Sequence, residues 1–578
     1  MKFHRLIIFF AVIMLALPCM GGTAGDSLPH ARPGTVMVVD KTIDLGGKVW
    51  QIPGRVTVQF KPGGSISNGT VKGSATVLDV EDNLSGLFRN VVIDGTWVVG
   101  DVYSRWFDFT DNKNNTRQVR NLFKLCSPEV ENNVFIDPGT YFLDSYDAKA
   151  KSPAVIVIPS NTSVHNQATF KGLPHANDQS FLFYFLKVSN CLWEGGRLEG
   201  DLAGHLTDHG EQGYGFALRG ARNIVIRNVE CSNFWGDGIN LQYGGSGAHN
   251  ENVLIENVVC KGNRRQGISI EDGVNVSVTN STFTDTGQKS GTSPKKGIDI
   301  EPSYDQAVIA GVTISDCNFS NNAGGGVGCC FLRPHDSDIV VRNCVDSDGG
   351  LQFNDCRLDS GNKGIEVVNY QCPAGKMRFA RTVNNVRVLS SSFMSAMTEN
   401  TSDIMTNISF EGLKLRTSEK RTWNFYCAAF VCAKMENVTF NNCEFEILEG
   451  STLSAVLPSG GDWTGASITN SVIKDHRKIQ MFIPCDISNS RIECDNGIAF
   501  VCSKKTSPLK FDNNVVTIRN TFEGSPFVFY SSSNPDYVIS GNTIQSPGRV
   551  NTSNLIKRYR TNSVDPKVVF RTNSFVRR

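Results

Sequence analysis

NIVIRNVECSNFWGDGINLQ at residues 223–242 and NVLIENVVCKGNRRQGISI at 252–270 repeat one pattern. Each opens on Asn, alternates apolar with other residues, passes a Cys, turns at Asn or Gly, and enters a second alternating segment behind a glycine. Apolar residues every second position mark strands with one buried face. Two such strands per copy, recurring in tandem, mark a solenoid whose coils stack strand on strand.

The first strand recurs as NVSVTNSTF from Asn275, GVTISDCNF from Gly311, DIVVRNCVD from Asp338, NVRVLSSSF from Asn385, NISFEGLKL from Asn407 and NVTFNNCEF from Asn437. The starts 223, 252, 275, 311 and 338 are 29, 23, 36 and 27 apart. The second strand begins at Gly215, Gly238, Gly267, Gly297, Gly326 and Gly350, at steps of 23, 29, 30, 29 and 24. Two features sharing one coil length predict an all-β parallel β-helix, with Asn and Gly at corners that need left-handed backbone. The leucine-rich alternative lacks its Leu and Asn signature.

The 578 residues, with 54 glycines, exceed what one compact core usually holds, which suits an elongated repeat. A net charge of +1, with Lys and Arg scattered, leaves no footprint for nucleic acid. Lys2, His4 and Arg5, the apolar run Leu6 to Leu17 and the small residues Gly21 to Ala24 predict an export signal over 1–24, with a lipid anchor at Cys19 as the alternative. No later segment is apolar for long enough to span a membrane. Several of the 17 cysteines recur at one strand position, which predicts stacked interior thiols; the adjacent Cys329 and Cys330 stay open.

These repeats resemble the pectin-lyase-like superfamily of right-handed parallel β-helices. DLGGKVWQIPGRVTVQFKPGGSISNGTVKG from Asp44 resembles the small β cap of secreted Bacteroides-type polysaccharide-active proteins, and NNVFIDPGTYFL from Asn132 the strand that opens the helix in the pectate-lyase-like group. The resemblance implies a cap over 25–100, a β-helix over 101–578 and a polysaccharide partner. That fold carries lyases, hydrolases and binders alike. Asp237 sits in a polygalacturonase-like Gly-Asp-Gly-Ile context, but Arg265 and Gln266 replace the paired aspartates one coil later.

With the isoleucines of the second strand pointing inward, two outward columns follow. One reads Ala217, Asn240, Ser269, Asp299, Gly328, Gln352; the other reads Arg219, Gln242, Glu271, Glu301, Cys330, Asn354. Asp299 and Glu301 project together, Glu271 lies one rung away, and crowded carboxylates need a cation or a proton. Arg264, Arg265, Lys295 and Lys296 lead into the same strands, Asp237 enters the rung before, and Glu211 precedes that. Solubilising surface charge is the competing reading.

The favoured function is a lyase acting on a uronic-acid polysaccharide. Arg264, Arg265 or a calcium ion on Asp237, Glu271, Asp299 and Glu301 would neutralise the substrate carboxylate, and Lys296 or Arg265 would take the C5 proton. Glu211, Tyr214, Arg219, Trp235, Arg264 and Lys295 are the expected substrate contacts, Tyr214 and Trp235 by stacking on sugar rings, with a wedge in a corner of the core as the equal alternative for Trp235. His205 and His209 are candidate acid–base groups without a zinc spacing. The alternatives are a glycoside hydrolase using Asp237, Asp299 or Glu301 and a noncatalytic glycan binder.

Overall fold

The computed structural model describes residues 28–577 apart from short stretches, the longest being 418–432 and 450–464. The export signal and Cys19 lie outside the described residues.

Each strand pairs in parallel with its counterpart one coil on. On the first face Ile224, Val253, Val276, Val312 and Ile339 form one interior stack through successive strands. On the third face Phe216, Ile239, Ile268, Ile298, Val327 and Leu351 do the same. Short strands between them carry Cys231, Cys260, Phe283 and Phe319 into the interior. Stacking identical or similar apolar groups at each rung removes both faces of the core from water, the main favourable contribution to this fold. The cysteines described are free, Cys329 and Cys330 included, and nearly all are buried.

Corners are built by asparagine. Asn190, Asn223, Asn252 and Asn275 have φ of 59°, 53°, 55° and 56°. Their amides form a ladder, each Nδ2 donating to the Oδ1 one coil earlier at 2.9, 3.0, 3.0 and 3.2 Å from Asn190 onward. The repeat pattern passed over one coil. Between Asp338 and Asn385 lies the strand Gly364–Val368, paired on both sides, and its corner residue is Gly364 at φ 72° rather than Asn.

At the N-terminus six strands from Val36–Val39 to Phe88–Val98 form a separate sheet, itself parallel throughout. The long stack begins at Asp101–Tyr103, on Asn132–Ile136. Helix Thr116–Leu125 ties the two together, because Asn121 accepts the Ile93 N–H at 3.0 Å and donates to the Val91 carbonyl at 2.8 Å, while Thr116 Oγ1 accepts the N–H of Asp144, just past a strand of the stack, at 2.8 Å. One apolar core runs from this sheet into the last coils.

Candidate active site on the third face

First-face strands alternate buried and accessible positions, but Asp237–Gln242 and Gln266–Ile270 are buried at every position. Their outward side chains are in the expected register, running Ala217, Asn240, Ser269, Asp299, Gly328 and Gln352, and continue to Arg378. This wall is a buried polar column.

At one end Asp237 accepts a hydrogen bond from Ser269 Oγ at 2.8 Å and from Arg265 Nη1 at 3.3 Å. Arg265 Nε lies 3.7 Å from Glu211, whose side chain is exposed. Burial pushes the Asp237 carboxyl up to about 6, although Arg265 and Ser269 oppose the shift. Burial also works against the Arg265 charge, but Asp237, then Tyr214, Glu271 and Asp299, outweigh it and hold its proton more tightly.

One rung from Ser269, Asp299 receives Gln266 Nε2 at 3.3 Å. Burial and then the Glu301 charge raise its carboxyl to about 7. Lys296, also buried, falls to about 8, burial outweighing the nearby Asp299. Its Nζ donates to Gln352 Oε1 at 2.7 Å and to the Gly324 carbonyl. Gly328 makes room for both groups: a Cβ there would lie 3.0 Å from Lys296 Cε and 3.1 Å from Asp299 Oδ1. A cavity of about 270 Å³ opens beside them, lined by Lys296, Gln352, Arg378, Asn322 and Asp348. Arg378 is exposed. An amine near 8 and an exposed guanidinium at one opening, with an acid near 7 buried behind the amine, can transfer a proton and hold an anion.

Several expectations are corrected. Arg265 cannot be a base, since its partners hold the proton on. Tyr214 is buried and stacked on Phe181 at 5.3 Å, and Trp235 is buried between His205, at 3.8 Å, and the Arg264 guanidinium, at 3.9 Å. Neither ring is free to stack on a sugar. Arg264, buried on Trp235 and donating to the Gly210 carbonyl at 2.8 Å, is likewise unavailable to a substrate carboxylate. Arg219 packs over Phe181 at 4.9 Å, and the Lys295 stem lies against Gly287. Asp237, fully buried, positions Arg265 and does not face the opening.

The carboxylates do not gather as a calcium site. Glu271 commits both oxygens to Asn240, Gln242 and Ser303, at 2.9, 3.0 and 2.6 Å. Glu301 continues the ladder beside it, its N–H bonded to the Ile270 carbonyl at 3.1 Å. No three of Asp237, Glu271, Asp299 and Glu301 bring oxygens within 4.8 Å of one another; among the described residues only His175, Asp201 and His205 group in that way. Arg378 was missed. The alternation Lys376-Met377-Arg378-Phe379 contained it, but a register shift between Cys372 and Lys376 hides the strand from a glycine-led pattern.

Residues 126–310 match the family described as right handed beta helix region. The chain is a right-handed parallel β-helix. Two proteins of Bacillus subtilis (strain 168) share sequence with this β-helix: YclG, 28% identical over 204 residues, covering 32% of this chain and 35% of YclG, and the SPbeta prophage-derived YorA, 25% identical over 321 residues, covering 49% and 54%. The chain thus spans about a third to a half of those relatives. Among solved structures, PfbA, a surface adhesin of Streptococcus pneumoniae, aligns at 13% identity over 78% of this chain and 93% of its own, with a TM-score of 0.35. Among the described residues no helix is long and apolar enough to cross a membrane.

Proposed function

We propose that this β-helix is an exported lyase that cleaves a uronic-acid-containing polysaccharide by β-elimination at the Lys296 opening. One observation carries the reading: Lys296, lowered to about 8, and Asp299, raised to about 7, sit side by side over Gly328, and Lys296 lines a cavity together with Arg378. Arg378 pairs with the uronate carboxylate and lowers the cost of carbanion character at C5. Unprotonated Lys296 takes the C5 proton, the C4–C5 double bond forms as the C4–O bond breaks, and Asp299 protonates the departing oxygen. Base and acid on one side of the sugar suit a syn elimination. Arg265, locked by Asp237, keeps a fixed positive charge behind Asp299.

The test is a panel of acidic polysaccharides followed in parallel for unsaturated-uronide absorbance and for reducing ends. Both should rise together on at least one polymer. Reducing ends without absorbance would overturn the elimination in favour of hydrolysis by Asp299 and Glu301, and neither product from any binding polymer would leave a glycan binder.

A further inference from the structure

Two loops from neighbouring coils meet beside the candidate site. His175 lies in the first, and Asp201 and His205 in the second. His205 Nδ1 is 2.8 Å and His175 Nε2 is 3.5 Å from the same oxygen, Asp201 Oδ2. The His205 side chain is fully buried, those of Asp201 and His175 nearly so. Read as hydrogen bonding, the cluster is poorly matched: one carboxylate oxygen faces two rings, one too far for a bond, and His175 Nε2, the atom that faces it, is buried without a partner. Read as a ligand set, it is well matched. Tetrahedral zinc bonds of about 2.0–2.1 Å put ligand atoms ~3.3 Å apart, between the two distances seen.

We infer that His175, Asp201 and His205 form a binding site for one divalent transition-metal ion of the zinc type. Two imidazoles and a carboxylate suit zinc rather than calcium or magnesium, which prefer all-oxygen shells. The ion links the two loops. His205 backs onto Trp235, Trp235 onto Arg264, and Arg264 holds the Gly210 carbonyl, so the site braces the lip that carries Glu211. Sequence spacing concealed it, since His175 is 26 residues from Asp201 and 30 from His205. His175 Nδ1 accepts the Asn177 N–H at 3.1 Å. Metal on Nε2 requires Nδ1 to carry the ring proton, so that amide must turn away.

The experiment is titration of the chelator-stripped full chain with zinc chloride, read by isothermal calorimetry and by metal analysis after desalting. Wild type is expected to retain one zinc per chain, and Asp201→Asn and His175→Gln to bind at least tenfold more weakly. The two variants touch different loops, so a folding defect in one leaves the other informative, and unchanged circular dichroism certifies each. Protease cleavage within residues 200–211 should slow at least threefold with zinc in wild type alone. Zinc uptake that is absent in wild type, or undiminished from wild type in both variants, would overturn the site. The second result would assign any bound zinc to the chain's free thiols.

Discussion

The first and third faces of this β-helix are made by the same coils, share one rung spacing and bury equally apolar interiors, yet their outer surfaces differ. On Glu251–Glu256 the outward residues Asn252, Leu254 and Glu256 are exposed or half-buried. On Asp237–Gln242, one strand earlier, nothing is accessible. First-face charges pair in solvent, as Arg222 does with Glu251 at 3.1 Å, and such pairs contribute little and perturb little. The third-face pair of Arg265 and Asp237 is buried, and the acids around it are displaced toward neutrality. A solenoid needs only its interior for stability, so polar groups buried on its exterior point to chemistry.

Four substitutions or titrations sharpen or break that contrast. Asp299→Asn, which keeps volume and removes the proton donor, should lower kcat by about 10²-fold or more at unchanged or raised thermal stability, measured by steady-state kinetics with differential scanning fluorimetry. Loss of both would make the third face a structural wall like the first. Gly328→Ala should cost about tenfold in kcat, because the new methyl displaces Lys296 Cε and Asp299 Oδ1 by a few tenths of an ångström. Full activity in that variant would separate the two groups from the reaction.

The faces should also differ in their response to pH. Asp237 and Asp299 are raised from 3.8 to about 6 and about 7. Between pH 4 and 7 the folded chain therefore holds protons that the unfolded chain has released, and stability falls as pH rises through that window, by an amount on the order of a few kcal/mol. Lys296, lowered from 10.5 to about 8, acts oppositely, adding stability as pH rises between those values. Denaturant midpoints from pH 4 to 7 should fall less steeply in Asp237→Asn than in wild type; parallel slopes would contradict the buried carboxyl. The smallest effect belongs to the first face. Asn252→Ala breaks two ladder bonds and places Ala at φ 55°, costing about 1–3 kcal/mol of stability with kcat unchanged.

The sequence made the architecture legible because alternation and period are written into every coil. Val253 and Ile268 announce their direction by position alone. The columns containing Ser269, Asp299 and Gln352 were legible for the same reason. Coverage was not. Whether an outward residue meets water depends on segments with no period, such as the loop that brings Gly210 to Arg264 and seals Trp235 behind His205. Tyr214 was therefore expected on the surface, and Trp235 either there or wedged in a corner of the core; both are packed within the wall. Arg265 was a candidate base on the expectation of a lowered pKa, whereas its spatial neighbours Asp237 and Glu211 hold its charge. Arg378 enters the site three rungs from Asp299, through a strand whose bulge interrupts the repeat.

The third face as a site of proton transfer is tested most directly by Lys296→Met on a cleaved acidic oligosaccharide, with unsaturated product and ligand affinity measured on the same preparation. The variant should bind the oligosaccharide within about threefold of wild type and form unsaturated product at least about 10²-fold more slowly. Product formation at the wild-type rate would contradict the assignment of the base, and with it the reading of this wall.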